Sequence, residues 1–452
     1  MAPLLNVVYL AALLALLPWA AWRRLSGRRP VAALWTRFTG SVRHPPAASG
    51  AATRRIWMHG VSVGEVQLVA TLAAEVAARA AAAGLSVDCV ASSSTTTGLK
   101  VAERRFGPDR VFPGPLDFSW AVARTLDRVR PDLLVLGELE LWPNLLAAAG
   151  RRGIPVVVVN ARMSERSAAG YRRITWLVRR MLGQVSLVVA RSAADGNRFT
   201  AAGAANVVVA GSMKFDGVRG DRNTPEIARL RRMAGIHADD VVFLAGSTQD
   251  PEERLAAEAF VAACGRHPAV RLVLVPRHVE RTPEIAALLD GLGLRWQPRS
   301  RLEADGPDPQ CRVLLVDTTG ELAAWWGTAT IAFVGGSLDG RRGGQNMLEP
   351  AAYGAAVACG PHTGNFHDEV AVLRTADAVE VVADGAALTA FVARCLAEPA
   401  WAAERGRRAA AAVAAGRGAT PLTARLLLEQ LGKTGKNPCM DGGSCRVGPG
   451  PR

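Results

Sequence analysis

The sequence predicts an α/β protein of two doubly wound, parallel-sheet domains behind a membrane anchor. Three observations carry this. Twelve short β-branched runs alternate with Ala/Leu/Arg-rich helical stretches, six in each half. At 452 residues the chain is longer than one hydrophobic core ordinarily supports. Residues 3 to 22, PLLNVVYLAALLALLPWAAW, carry no charge over about one bilayer crossing.

The elements follow in order. Arg23, Arg24, Arg28, Arg29, Arg37, Arg43, Arg54 and Arg55 come after the apolar run, with no Asp or Glu from 23 to 55. Cleavable signal peptides carry their charge before the apolar run, so residues 1 to 22 read as a retained single-pass anchor. The positive-inside rule then places the rest of the chain in the cytoplasm. The arginines are expected on anionic lipid head groups. The first domain, 23 to 214, holds the runs RIWMHGV, SVDCVASS, DLLVLGE, PVVVVNA, SLVVARS and NVVVAGS. The polar stretch FDGVRGDRNTPE, 215 to 226, reads as a linker. The second domain, 227 to 432, holds VVFLAGS, RLVLVPRH, RVLLVDT, ATIAFVGG, AAVACGP and AVEVVAD, and Ala/Arg helices near 401 to 431 close it. Such alternation means βα units around buried parallel sheets. The tail, 433 to 452, is Gly/Pro-rich and reads as disordered; it carries Cys439 and Cys445. Seven scattered cysteines with no C-x-x-C predict reduced thiols.

Composition and motifs exclude several functions. A net charge of +14 suits a polyanionic partner. A membrane-tethered nucleic-acid binder fits that charge, but the basic stretches lack interleaved aromatics, so no nucleic acid is expected. The first strand is not followed by G-x-G-x-x-G, and there is no G-x-x-x-x-G-K-[ST], so a nicotinamide dehydrogenase and a P-loop enzyme are disfavoured. No Cys/His cluster has metal spacing. No metal and no cofactor are expected.

Ligands of open α/β sheets bind beyond the carboxyl ends of the strands. Polar residues collect there in both halves. Glu65, Glu138 and Glu140 follow strands of the first; Lys214, Arg277, His278, Glu321, the glycines of VGGS (334 to 337), Asn346 and Glu349 follow strands of the second. A carboxylate can take a proton from a hydroxyl, and cations with backbone N–H groups can hold an anionic nucleotide. Each residue also has a plainer reading. Glu65 suits the first turn of a helix. Glu138 and Glu140 share one side of a strand and could pair with arginines. Gly335 and Gly336 could merely let a strand and a helix pack closely. SSSTTTG, 92 to 98, suits a helix N-cap, and His59 a satisfied core histidine.

HGVSVGE, GELELWPN, NARMSERSAAGY, GSMKFD, AGSTQDPEE, LVPRHVER, DTTGEL and FVGGSLDGRRGGQNMLEPAAYGAAV occur in this order. The series closely resembles the 3-deoxy-D-manno-octulosonic acid (Kdo) transferases. That resemblance implies a GT-B glycosyltransferase of two Rossmann-like domains facing a cleft, inverting and metal-independent. It implies transfer of Kdo from CMP-Kdo to lipid IV(A) at the cytoplasmic face of the inner membrane, in lipopolysaccharide synthesis. A GT-B transferase using a UDP-sugar is the alternative. By the same resemblance Glu65 is the base, and Glu138 and Lys214 support the transition state. Pro276, Arg277, Thr319, Gly320, Glu321, Asn346, Met347, Leu348 and Glu349 meet CMP. Gly335, Gly336 and Ser337 are candidates for the donor phosphate. Gly60, Gln249, Val279 and Gln345 depart from residues common at those places.

Overall fold

The computed structural model describes residues 2–25, 34–42 and 53–433, without the side chains of 16–25. The predicted tail beyond residue 433, with Cys439 and Cys445, lies outside the described residues; 433 itself ends a helix. The described cysteines are free thiols. The chain divides into two compact units, one running to Met213 and resuming at Gly418, the other Lys214–Arg417.

The first unit holds seven parallel strands: β1 (Arg54–His59), β2 (Val87–Ser93), β3 (Val111–Pro113), β4 (Leu133–Gly137), β5 (Val156–Ala161), β6 (Leu187–Ala190) and β7 (Val207–Val209). Their order is β3-β2-β1-β4-β5-β6-β7. β4 and β5 are buried along their whole length, as an unbroken apolar run such as Val156-Val-Val-Val159 requires. The winding reverses between β1 and β4, which pair in register from Ile56↔Leu133 to His59↔Leu136. Six helices of this unit matter below: α1 (Ala2–Leu25), α2 (Leu34–Thr39), α3 (Val63–Ala82), α4 (Thr96–Phe106), α5 (Ser119–Val129) and α6 (Pro143–Arg151). Helix Ala419–Lys433 returns to this unit and buries Leu427 and Leu431 with Val69, Leu72 and Val76 of α3. The expected second domain therefore loses its last helix to the first.

The second unit repeats the plan with β8 (Val241–Thr248), β9 (Val270–Pro276), β10 (Trp296–Pro298), β11 (Val313–Leu315), β12 (Ile331–Val334), β13 (Ala356–Cys359) and β14 (Val379–Val381). The order is β10-β11-β9-β8-β12-β13-β14, so the winding reverses between β8 and β12. The expected linker is part of this unit. Phe215 and Val218 are buried in its core. Arg222 donates to the carbonyls of Tyr353, Gly327 and Ala329. A segment whose guanidinium satisfies three carbonyls is fixed structure, whatever its polar composition.

The first helix forms as expected, but it is not a bare anchor. Asn6 and Tyr9 bond to residues of α5 and the loop before it. Leu4, Val7, Val8 and Leu14 are exposed. Among the described residues no helix is long and apolar enough to cross a membrane, and the side chains of α1 beyond residue 15 lie outside them. The basic run is also partly internal. Arg37 is buried and donates to the carbonyls of Gly114 and Ser94. Arg55 is buried against Asp88, and Arg54 pairs with Asp132. These three arginines hold the fold and are not offered to lipid as expected; the side chains of the other five are outside the described residues.

Candidate active site

In the first unit the polar residues gather where the winding reverses, at the carboxyl ends of β1 and β4. Ser62 caps α3 and accepts from the Glu65 N–H at 3.3 Å. Glu65 reaches back: Oε2 accepts from the Val61 N–H at 2.9 Å, and Oε1 from the Ser62 hydroxyl at 2.8 Å. This is a variant of the capping box, with the carboxylate on the N–H before the cap and on the cap hydroxyl, so the plain reading of Glu65 is realised. It does not displace the chemical one. Each carboxylate oxygen has a lone pair beyond the donor it already meets, and the residue is only half-buried. The box orients the carboxylate at the sheet edge.

β4 comes up beneath it. A Cβ placed on Gly137 would stand 3.3 Å from the His59 carbonyl and 3.8 Å from Glu65 Oε2, so glycine keeps this approach open. The next residue, Glu138, sits at φ 55°, in the left-handed region that non-glycine residues rarely adopt, and its N–H donates to the Val159 carbonyl. Asn160 and Ser247, also at strand ends, share that conformation. Glu140 is half-buried and accepts from Trp142 Nε1 at 2.8 Å, so the arginine partner expected for it is replaced by an indole. Burial pushes the Glu140 carboxyl up to about 7; the charge of Glu65 pushes the same way, Trp142 opposes, and Glu138 adds a smaller push. Three carboxylates thus share one sheet edge, and Glu140 among them holds a proton near neutrality.

The neighbours are structural. His59 bonds Ser92 Oγ at 2.7 Å, and Trp57 Nε1 meets the same oxygen. Burial first, and the nearby Arg37 charge second, lower the His59 pKa to about 4, which keeps it neutral as expected of a core histidine. In the SSSTTTG run Thr95 caps α4, accepting from the Gly98 N–H, while Ser93 and Thr95 donate to the Val61 carbonyl. That run therefore supports the loop carrying Glu65.

In the second unit the expected nucleotide residues separate into two groups. Asn346 donates to Glu349 Oε1 at 3.1 Å. Burial raises the Glu349 pKa, against hydrogen bonds from Asn346 and Trp326 and the charge of Arg277. Arg277, Thr319 and Gly320 are exposed at strand ends. These residues remain open to a ligand. Others are committed inside the protein. The Glu321 carboxylate is held by both arms of Arg299, at 2.9 and 2.7 Å, and by the Thr318 hydroxyl. Met347 and Leu348 are fully buried in the core, and Pro276 is buried at the end of β9.

The VGGS segment differs most from expectation. The N–H of Gly336 donates to Glu252 Oε2 at 2.6 Å; those of Ser337 and Leu338 donate to Oε1 at 3.0 and 3.1 Å. The Gln249 N–H adds a fourth bond at 3.0 Å. Gly335 donates to the Gly246 carbonyl. The amides expected to cradle a phosphate are thus occupied by a protein carboxylate, buried to 2 % exposure. A Cβ on Gly335 would fall 2.6 Å from Glu252 Oε2, so glycine here admits the carboxylate. Lys214 is clasped as well: Nζ donates to the Asn365 carbonyl at 3.0 Å, lies 3.6 Å from Glu369 and sits over the Phe366 ring. Among the described residues no group of three or more His, Cys, Asp or Glu could hold a metal ion.

Comparison with known proteins follows from this geometry. Residues 33–217 match the family described as 3-deoxy-D-manno-octulosonic-acid transferase (kdotransferase). The 3-deoxy-D-manno-octulosonic acid transferase of Bordetella pertussis is 37% identical over 94% of this chain and 97% of its own. The chain belongs to the Kdo transferase family. The Haemophilus influenzae transferase is 34% identical over 73% of this chain and 74% of its own. A glycosyltransferase from Rickettsia africae, 14% identical with a TM-score of 0.52 over 85% of this chain and 99% of its own, shares the fold. The architecture is GT-B, and the protein is a Kdo-transferring glycosyltransferase.

Proposed function

We propose that the chain transfers Kdo from CMP-Kdo to lipid IV(A), with inversion and without a metal, in lipopolysaccharide synthesis. The observation that carries this is Glu65. It is oriented by Val61 and Ser62 at the winding reversal and keeps lone pairs for an incoming hydroxyl. It takes the proton of the acceptor sugar hydroxyl as the oxygen attacks the anomeric carbon of Kdo. The C–O bond to the phosphate breaks, and CMP leaves with the electron pair. Arg277 meets the charge on that phosphate, and Asn346 with Glu349 holds the ribose. Lys214 keeps a donor for the Kdo carboxylate, and Glu138 supports the developing positive charge at the anomeric carbon. The test is incubation with CMP-Kdo and lipid IV(A), with CMP and UDP as competitors, followed by mass measurement of the lipid. A gain of Kdo suppressed by CMP supports the reading; competition by UDP alone, or no gain on this acceptor, ends it.

The units act at the cytoplasmic face of the inner membrane, attached through α1. The packing of α1 favours a helix lying along the membrane surface over one crossing it. Asn6 and Tyr9 stay on the first unit, and α2, which follows Leu25 after residues 26 to 33, packs on that unit too. A crossing helix puts its two ends on opposite sides, and so short a segment could not return through lipid with its backbone satisfied. Exposed Leu4, Val7, Val8 and Leu14, with exposed Trp35 and Trp120, suit an interfacial position.

A further inference from the structure

The contacts of α1 bear on more than attachment. Phe118, which precedes α5, offers no side-chain cap. The first amide of that helix, Ser119 N–H, is met instead by Asn6 Oδ1 at 3.1 Å, and Asn6 Nδ2 donates to Ser119 Oγ at 2.7 Å. The Tyr9 hydroxyl donates to Asp117 Oδ2 at 3.1 Å, while its ring packs edge-on against Phe118. Asp117 is buried and does not serve its own helix. Its carboxylate accepts from the N–H groups of Asn144 and Leu145, at 3.0 and 2.9 Å, in the first turn of α6. Its carbonyl takes Asn144 Nδ2 at 2.6 Å.

The first turn of α6 is where the loop carrying Glu138 and Glu140 ends. Trp142, immediately before α6, bonds Glu140 and stands edge-on to His59 at the end of β1. His59, Asp117 and Trp142 line one small cavity. A continuous set of contacts therefore runs from Tyr9 through Asp117 and the α6 N-terminus to Trp142 and Glu140.

We propose that Asn6 and Tyr9 of α1 are positioning residues for the carboxylate loop after β4, Tyr9 acting through Asp117 and Asn6 through Asn144, whose Nδ2 donates to Asn6 Oδ1 at 3.4 Å. The helix that attaches the protein also completes the acceptor-side site. Its seating holds Glu140 and Glu138 in place beside Glu65. An enzyme whose α1 is displaced keeps its sheets but loses the register of this loop. The inference rests on the reading of that loop as catalytic. Burial pushes the Asp117 carboxyl up to about 6, against the Asn144 and Leu145 amides and the Tyr9 hydroxyl, which fits a charge dependent on its donors.

The test uses the full chain in detergent. Tyr9→Phe keeps the ring on Phe118 and removes only the hydroxyl. It is compared with wild type, Asp117→Asn and the double variant. Transfer is assayed for kcat and for the CMP-Kdo KM, and hydrogen exchange is followed at the amides of Asn144 and Leu145. The expected result for Tyr9→Phe is a kcat about tenfold lower, a donor KM within about twofold of wild type, and faster exchange at those two amides, as loss of a charge-assisted hydrogen bond implies. The double variant should be no slower than Asp117→Asn alone, because both act through one carboxylate. If Asp117→Asn does not fold, Tyr9→Phe still decides through kcat and exchange. Wild-type kcat in Tyr9→Phe overturns the proposal, and losses that add fully in the double variant overturn the route through Asp117. A wild-type protein inactive on these substrates overturns the transfer reading instead, and exchange at the two amides still decides the contact.

Discussion

Replacing Glu252 tests how the second unit holds its nucleotide segments. Its carboxylate accepts four backbone N–H groups, two on each oxygen: Gln249 and Gly336 on Oε2, Ser337 and Leu338 on Oε1. In Glu252→Gln either amide orientation turns an NH2 group toward two of those donors. A hydrogen bond to a charged group is worth roughly 1.5–3 kcal/mol, so losing two costs about 3–6 kcal/mol. That is a large share of the roughly 5–15 kcal/mol that stabilises a domain. For a unit running from Lys214 to Arg417, each kcal/mol lowers Tm by about 2–4 °C, so a fall of about 6–24 °C is expected. Glu252→Ala should be worse, since it strands all four donors. The segment held at Gly336 to Leu338 leads directly to Asn346 and Glu349, so CMP affinity should fall with stability. Scanning calorimetry with and without CMP, and titration of CMP, measure both. A Glu252→Gln protein within about 2 °C of wild type, with wild-type CMP affinity, refutes the role given to this carboxylate and reopens the glycines as a phosphate cradle.

Two other perturbations follow from the site. The Glu140 carboxyl titrates near 7 in the folded protein against 4.5 for an ordinary side chain. The folded state therefore binds more protons between those values, and stability falls as pH rises through that window. Glu140→Gln should raise Tm more at pH 8 than at pH 5 and remove an inflection near pH 7 from the rate profile; parallel Tm shifts at both pH values would contradict this. Arg277→Ala should weaken CMP more than cytidine, and Glu349→Ala should weaken both by roughly ten- to a hundredfold, in line with loss of a charge-assisted contact. Calorimetric titration of the two nucleotides separates these roles, and equal losses of CMP and cytidine in Arg277→Ala would remove the phosphate contact.

Much of the fold was legible because burial writes itself into local sequence. All twelve apolar runs became strands. The two strands that no run announced, β3 and β10, are three residues long, end in proline and form the edges of their sheets. An edge strand needs neither a continuous apolar face nor every N–H, so Val111-Phe-Pro113 and Trp296-Gln-Pro298 leave little trace. The linker was misread for a related reason: the polar side chain of Arg222 bonds carbonyls more than a hundred residues away. In the site, Glu65 could be found because its setting is local, the HGVSVGE stretch where β1 hands over to α3. Glu252 could not: it meets Gly336 across 84 residues of sequence, and no short pattern records that. Tyr9 and Asp117, 108 residues apart, are hidden in the same way. An acidic residue at the start of a helix, as Glu252 is, was the one available signal, and it pointed to the helix dipole and not to the loop it holds.

The central claim is that Glu65 takes the acceptor proton. Glu65→Gln keeps the shape of the side chain and can still accept from Val61 or Ser62 through its carbonyl oxygen, but it cannot accept a proton at working pH. With CMP-Kdo and lipid IV(A), kcat should fall about a thousandfold, within the range a general base contributes, while CMP affinity stays unchanged. Mass measurement of the lipid product over time gives the rate. Near-normal turnover in Glu65→Gln would contradict the account.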